Sequence, residues 1–335
     1  AVIADDPFPA PPSTTTTTGT GSTTTTTAGT TTTTGTGSTT TTTGIVTTTT
    51  TSSTTSTTTT TLPNGYLWTS GANTSGQLGL GNYVDRNAFT AVPALSDAML
   101  LVGGQWHSLV ARSDGTLWAA GSNAYGQMGR SDTTSFQQVP GVLGVNRVAS
   151  SDWHTILLLN DGTLLGSGSN SSGALGMGDN TSRSVFTPIP GMTGVTAIAV
   201  GSYHSVAVKA DGTLWVTGSN TSGQLGLGAT ATVRSFTQVA GITAARAAAA
   251  GDAHTLVLLA DGTVLASGLN ANGQLGLGNT SSRTTFTVVA ALGNDVAALA
   301  ARGIHSLALK NNGDVWVTGY HKGIGRASDT SVFVK

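Results

Sequence analysis

Apolar and polar positions alternate along "HSVAVKADGTLWVTG" (His204 to Gly218): Ser205, Ala207 and Lys209 interleave with Val206 and Val208, "ADG" interrupts, and alternation resumes through Leu214 to Thr217. A period of two on either side of a tight turn predicts a β-hairpin. The phrase "DGTLW" and its variants begin at Asn64, Asp114, Asp161, Asp211, Asp261 and Asn312, so the hairpin recurs six times at spacings of 47 to 51 residues. Two more short apolar stretches follow in each unit, such as "SFTQVAG" and the one ending in "AIAVG". Four strands per unit, repeated six times, predict an all-β chain closed into a β-propeller of six four-stranded blades, with seven as the alternative count.

Two further phrases keep step with the hairpin. After each of the first five copies comes "GANTSGQLGLG", "GSNAYGQMGR", "GSNSSGALGMG", "GSNTSGQLGLG" or "GLNANGQLGLG"; ahead of the last five stands "GQWHS", "SDWHT", "GSYHS", "GDAHT" or "GIHS". Glycines in the first set suit close approach and positive φ rather than a phosphate cradle, because no helix follows to supply an anion site. The three phrases together, over about residues 57 to 320, resemble the regulator of chromosome condensation family of β-propellers. That resemblance implies a propeller, usually of seven blades, where this chain shows six copies. It would also imply nucleotide exchange on a nuclear GTPase with chromatin binding, which a weakly charged chain with a threonine tail does not fit.

Ahead of the repeats the pattern vanishes. "TTTTTGTGSTTTTT" runs from Thr14 to Thr27 and again from Thr30 to Thr43. Such a tract cannot bury enough apolar surface to fold alone, and Ser/Thr-rich tracts of this kind are acceptors for O-linked sugars on extracellular stalks. The candidate acceptors are Thr14, Thr15, Thr16, Thr17, Thr18, Thr23, Thr24, Thr25, Thr30, Thr31, Thr39 and Thr40. Threonine also favours strands, so the tract is expected to pair edge to edge with a second copy. The division expected is an N-terminal peptide (1–12), an extended Thr/Gly-rich segment (13–44) and a propeller (45–335). Ring closure is expected from residues 45–62 and the C-terminal strand, with Ile45 and Val46 pairing beside Val332 and Val334.

Composition narrows the function. All 15 acidic residues are Asp, there is no Glu and no Cys, 9% of residues are charged, and the net charge is −1. That charge supplies no field to attract nucleic acid or anionic lipid. No apolar run reaches the roughly 18 residues of a membrane span, so no membrane insertion is expected. Beginning at Ala1, the chain reads as a mature form after removal of a signal peptide, placing it outside the cell or on its surface. Without Glu or a convergent acid pair, acid–base hydrolysis lacks its usual residues, and the chain reads as no enzyme and as needing no cofactor.

Several residues invite a chemical role. His107, His154, His204, His254 and His305 could be imagined around a metal, but each precedes Ser or Thr and an apolar strand, so each is expected to bond backbone within its own blade. Trp68, Trp118, Trp215 and Trp316 share one repeat position with Leu165 and Leu265, which marks packing. Trp106, Trp153 and Tyr203 sit just before the histidines, where they form a candidate binding face for sugar or protein. Asn73, Asn170, Asn180, Asn220 and Asn279 head N-x-Ser/Thr sequons. The expected function is a secreted structural glycoprotein that assembles into a coat or filament through its tail; the alternative is a monomeric propeller binding module, adhesin or inhibitor, on an O-glycosylated stalk.

Overall fold

The computed structural model describes residues 67–92, 95, 97–320 and 328–335 with their side chains, and the backbone alone of five N-terminal strands, Thr23–Thr27, Thr30–Gly35, Ser38–Thr43, Val46–Thr47 and Thr58–Thr61. Six four-stranded antiparallel sheets follow one another along the chain as blades 1 to 6. Blade 4 is typical: the inner strand Val195–Val200 pairs with His204–Lys209, that strand with Leu214–Gly218, and that with the outer strand Val233–Gln238. The sixfold count agrees with the six copies of the hairpin. Among the described residues the one helical element is a 3₁₀ turn at Ala290–Leu292.

In the second strand of blade 4, His204 through Val208 are all buried. Alternation therefore does not divide core from solvent here. It divides two apolar interfaces, because blade 4 is faced by blade 3 on one side and blade 5 on the other. The core accordingly falls into clusters between blades: Val206, Val208 and Leu214 of blade 4 meet Ala248 and Val257 of blade 5, and Leu256, Leu258 and Val264 of blade 5 meet Leu299 and Ala308 of blade 6.

A strap from each of the first five repeats crosses to the next blade. After its third strand, blade 5 continues through Gly273–Gly278, whose Leu277 bridges Val332 and whose Gly278 N–H donates to Ser331 O (2.8 Å) on the outer strand of blade 6. Gly276 sits under the ring of Phe333 at φ +69°, where an added Cβ would lie 2.3 Å from the ring. Glycine is required there on both counts.

This arrangement corrects the expected latch. The C-terminal strand Thr330–Val334 pairs with Val315–Gly319 as the outer strand of its own blade, with Val334 opposite Val317. Val46–Thr47 instead pairs with Thr58–Thr61 in blade 1, Val46 opposite Thr60. Val332 and Val334 therefore do not pair with Val46, and Ile45 lies outside the described residues. The reason is readable in retrospect: "SVFVK" repeats the Phe-centred phrase of the outer strands, so it takes an outer place and seats its Phe on the neighbouring strap. The Thr-rich strands Thr23–Thr27, Thr30–Gly35 and Ser38–Thr43 form a separate three-stranded antiparallel sheet. They contain the acceptor candidates Thr23, Thr24, Thr25, Thr30, Thr31, Thr39 and Thr40; Thr14 to Thr18 lie outside the described residues.

Candidate ligand-binding face

The histidines build the platform on which the face rests. His154 Nε2 lies 2.8 Å from Ser205 Oγ, His204 Nε2 2.9 Å from Thr255 Oγ1, and His254 Nε2 2.8 Å from Ser306 Oγ. Each bond joins one blade to the next, which corrects the expectation of partners within the same blade. His107 Nε2 reaches blade 3 at Ser150 Oγ (2.9 Å), which in turn meets Thr155 Oγ1 (2.7 Å). The hydroxyls of Ser205, Thr255 and Ser306 donate their own hydrogens to Ala174, Gln224 and Gln274 carbonyls at 2.7 to 2.8 Å. A hydroxyl has one hydrogen to give, so the imidazole must be the donor through Nε2, and in a neutral ring that is its one hydrogen.

Burial agrees with that assignment. It holds His107, His154 and His254 at about 3 and His204 at about 4, with Arg302 adding to the effect at His107. The Nδ1 atoms of His107, His204 and His254 have no hydrogen-bond partner. At Gly201 and Gly251 the backbone passes so close that an added Cβ would lie 2.1 to 2.2 Å from the Cε1 of His204 or His254. These side chains are committed to holding blades together. Among the described residues no three His, Cys, Asp or Glu side chains converge as a metal site.

Because the histidines open the second strands, the residues just before them emerge together at one end of the propeller. Trp153 packs against Tyr203 of the next blade, centroids 5.5 Å apart and planes at 29°, and against Tyr125, at 4.5 Å and 57°. Tyr125 belongs to the strap of blade 2, which crosses toward blade 3, and so completes a three-ring row. Tyr125 is 44% exposed and Tyr203 38%. Trp106 is 37% exposed on the same loop position of blade 2, outside the stacked row. Thus two of the three expected face residues, Trp153 and Tyr203, are brought into contact, and Tyr125 joins them unforeseen. Its signal was in the sequence: Tyr125 stands where the other copies carry Ser75, Ser172, Ser222 and Asn272.

Beside the row, the ends of the inner strands surround a cavity of about 290 Å³ lined by Gln105, Asp152, Ser202, Asp252 and Arg302 among others. Asp152 Oδ1 accepts from the Gln105 N–H (2.6 Å) and from Arg302 Nη2 (2.9 Å), and Asp252 Oδ1 from Ser202 Oγ (2.8 Å). Arg302 also donates to Gly103 O (3.2 Å), so one side chain of blade 6 ties blades 2 and 3 across the mouth. It occupies the loop position that is Gly104, Ser151, Gly201 or Gly251 elsewhere. Partial burial pushes the Tyr203 hydroxyl above its usual value, and Tyr125, Asp252 and Asp152 nearby push it further. Asp152 and Ser202 line the cavity, and the next residues along the chain, Trp153 and Tyr203, carry the row at its edge.

The sequons separate cleanly. Asn73, Asn170 and Asn220 are fully buried, their Nδ2 atoms donating to the carbonyls of Asn82, Asp179 and Ala229 at 2.7 to 2.9 Å. Their Oδ1 atoms accept from the N–H groups of Leu78, Leu175 and Leu225, so they shape the straps. Asn180 and Asn279 are exposed.

Six blades, joined among the described residues by histidine bonds and straps from one blade to the next, define a β-propeller. The chain belongs to the RCC1-like domain family, whose model matches residues 16–331. Yeast RCC1 (Prp20), solved with Kap60 bound, is similar at 22% identity, covering 83% of this chain and 73% of that one, with a TM-score of 0.72. Human WBSCR16 is similar at 24% identity, covering 88% and 79%, with the same TM-score of 0.72. At these identities the likeness is one of fold. No curated protein matches the chain by sequence.

Proposed function

We propose that the protein is a propeller binding module that captures its ligand at the mouth bounded by Tyr125, Trp153, Tyr203, Asp152 and Asp252, and that it performs no catalysis of its own. The observation that carries this reading is a row of three rings on the loops that open a cavity, whose lining mixes apolar side chains such as Val148, Ile198 and Leu299 with Asp152, Asp252 and Arg302. A fixed aromatic wall beside a few convergent polar groups is the usual make-up of a recognition site. Fold alone assigns no ligand. Yeast Prp20p has been solved in work on its binding to Gsp1p and histones, and at 21% identity those partners are not carried over. The test is a titration of tryptophan emission against panels of neutral oligosaccharides, basic peptides and acidic peptides. A saturable change that Tyr125→Ala removes and Leu143→Ser keeps supports the reading. Absence of saturation with every panel at millimolar concentration overturns it.

A second reading concerns the tail. Pairing of the Thr-rich strands into an antiparallel sheet, Thr30 opposite Thr43 and Thr23 opposite Thr34, supports self-association by edge-to-edge addition of strands outside the cell or on its surface. On this reading O-linked sugars coat the tract, and the tail gathers propellers into a coat or filament. Deleting residues 1–43 should leave discrete propellers in negative-stain images where the full chain shows filaments. Filaments that persist would move the interface elsewhere, and a secreted protein weighing no more than 33.3 kDa would exclude attached sugars.

A further inference from the structure

We infer that the ligand taken at this mouth is a neutral oligosaccharide, one or two of whose rings enter the cavity; the inference rests on the binding-module reading above. Size is the first argument. A cavity of about 290 Å³ is below the usual range for drug-sized ligands and far too small for a helix or hairpin of a partner, but it accepts a sugar ring or two.

Charge is the second argument. Asp152 is paired with Arg302 at 2.9 Å, and Asp252 already accepts from Ser202 at 2.8 Å. A cationic ligand would compete with Arg302 for Asp152, and an anionic one would meet both carboxylates. A neutral polyol disturbs neither. It can donate hydroxyl hydrogens to Oδ2 of each carboxylate, because the bonds at Asp152 and Asp252 described above fall on Oδ1. Carboxylate acceptors beside a hydroxyl and a guanidinium match the dense, mixed donors and acceptors of a sugar.

The aromatic row is the third. Tyr125, Trp153 and Tyr203 brace one another, so their orientation is fixed before binding and little rotamer entropy remains to be lost. They offer the C–H face of a sugar ring an apolar platform beside the cavity, on the residues that follow Asp152 and Ser202 of its lining. Trp106, 37% exposed at the same loop position of blade 2, is the further contact proposed for a longer chain.

The experiment titrates the full chain by calorimetry with gluco-, xylo- and manno-oligosaccharides of two to six units, with a Lys/Arg-rich peptide and with oligogalacturonate as the charged arms. At least one neutral series should bind, the affinity rising with length to saturation. Asp252→Ala and Tyr125→Ala should each weaken it at least tenfold without lowering the melting temperature. Should either variant misfold, Tyr203→Phe, which keeps the ring and removes the hydroxyl, should weaken binding several-fold. Binding confined to the basic peptide or to oligogalacturonate, and lost in the same variants, overturns the sugar assignment while leaving the binding face in place. Failure of all three arms overturns both.

Discussion

Lowering the pH from 7.5 to 5 should destabilise this propeller far more than its carboxylates can explain. Unfolded, each histidine titrates near 6.5, whereas burial keeps His107, His154 and His254 at about 3 and His204 at about 4. The unfolded chain therefore binds more protons than the folded one between those limits. Stability is intact above pH 6.5 and falls as the pH drops toward the folded values. At pH 5 an exposed imidazole gains about 2 kcal/mol from protonation that a ring fixed in its neutral form forgoes, so the four together cost about 8 kcal/mol. That is comparable to the whole stability of an ordinary domain, roughly 5–15 kcal/mol. Asp114, Asp161, Asp211 and Asp261 are held below the usual carboxylate range, first by threonine hydrogen bonds, so they titrate below this window. The assay is urea unfolding by far-UV circular dichroism at half-unit steps of pH. His204→Asn should lower stability at pH 7.5 and flatten the slope of stability against pH, leaving the contribution of the other buried histidines, His305 included. An unchanged urea midpoint between pH 7.5 and 5 would refute the neutral, interblade assignment of these rings.

Three other outcomes follow from the geometry. Gly276→Ala should destabilise by about 2 kcal/mol or more, because the residue is left-handed and its Cβ would press on Phe333; thermal melts would show it. Arg302→Ala should cost about 1 kcal/mol by removing one of the two donors to Asp152 and the donor to the Gly103 carbonyl at a part-exposed site, and a double-mutant cycle with Asp152→Asn should show coupling between the two sites. Secreted from a eukaryotic host, the chain should carry N-glycans at Asn180 and Asn279 but not at the buried Asn73, Asn170 or Asn220, and intact mass of the Asn180→Gln and Asn279→Gln variants would check this.

Much of the fold was legible because each blade repeats one short grammar: "DGTLW" turns, Phe-centred outer strands and Gly-x-x-His loops. Less legible was whatever depends on how blades face one another. Alternation in "HSVAVK" suggested a core face and a polar face, yet both faces are buried. The histidine partners were nevertheless within reach of a sequence argument: His154 and Ser205 lie 51 residues apart, and His254 and Ser306 52, one repeat and a step. Of the site, Trp153 and Tyr203 were visible as aromatics at a shared loop position, whereas Tyr125 and Arg302 were hidden as departures from the repeat. A motif search rewards agreement between copies, and here both departures sit at the mouth. The C-terminal strand misled because its apolar residues were weighed without the Phe that fixes its place.

The central claim, that the mouth is the binding face, is tested most directly by labelling the six tryptophans with 5-fluorotryptophan and following their ¹⁹F resonances during an oligosaccharide titration. Single Trp→Phe variants assign the signals. Trp153, in the stacked row, should shift and saturate, Trp106 should follow with longer chains, and Trp118, Trp215 and Trp316, paired with Arg112, Lys209 and Lys310 away from the mouth, should stay still. Movement of those three while Trp153 and Trp106 remain unshifted would contradict the account.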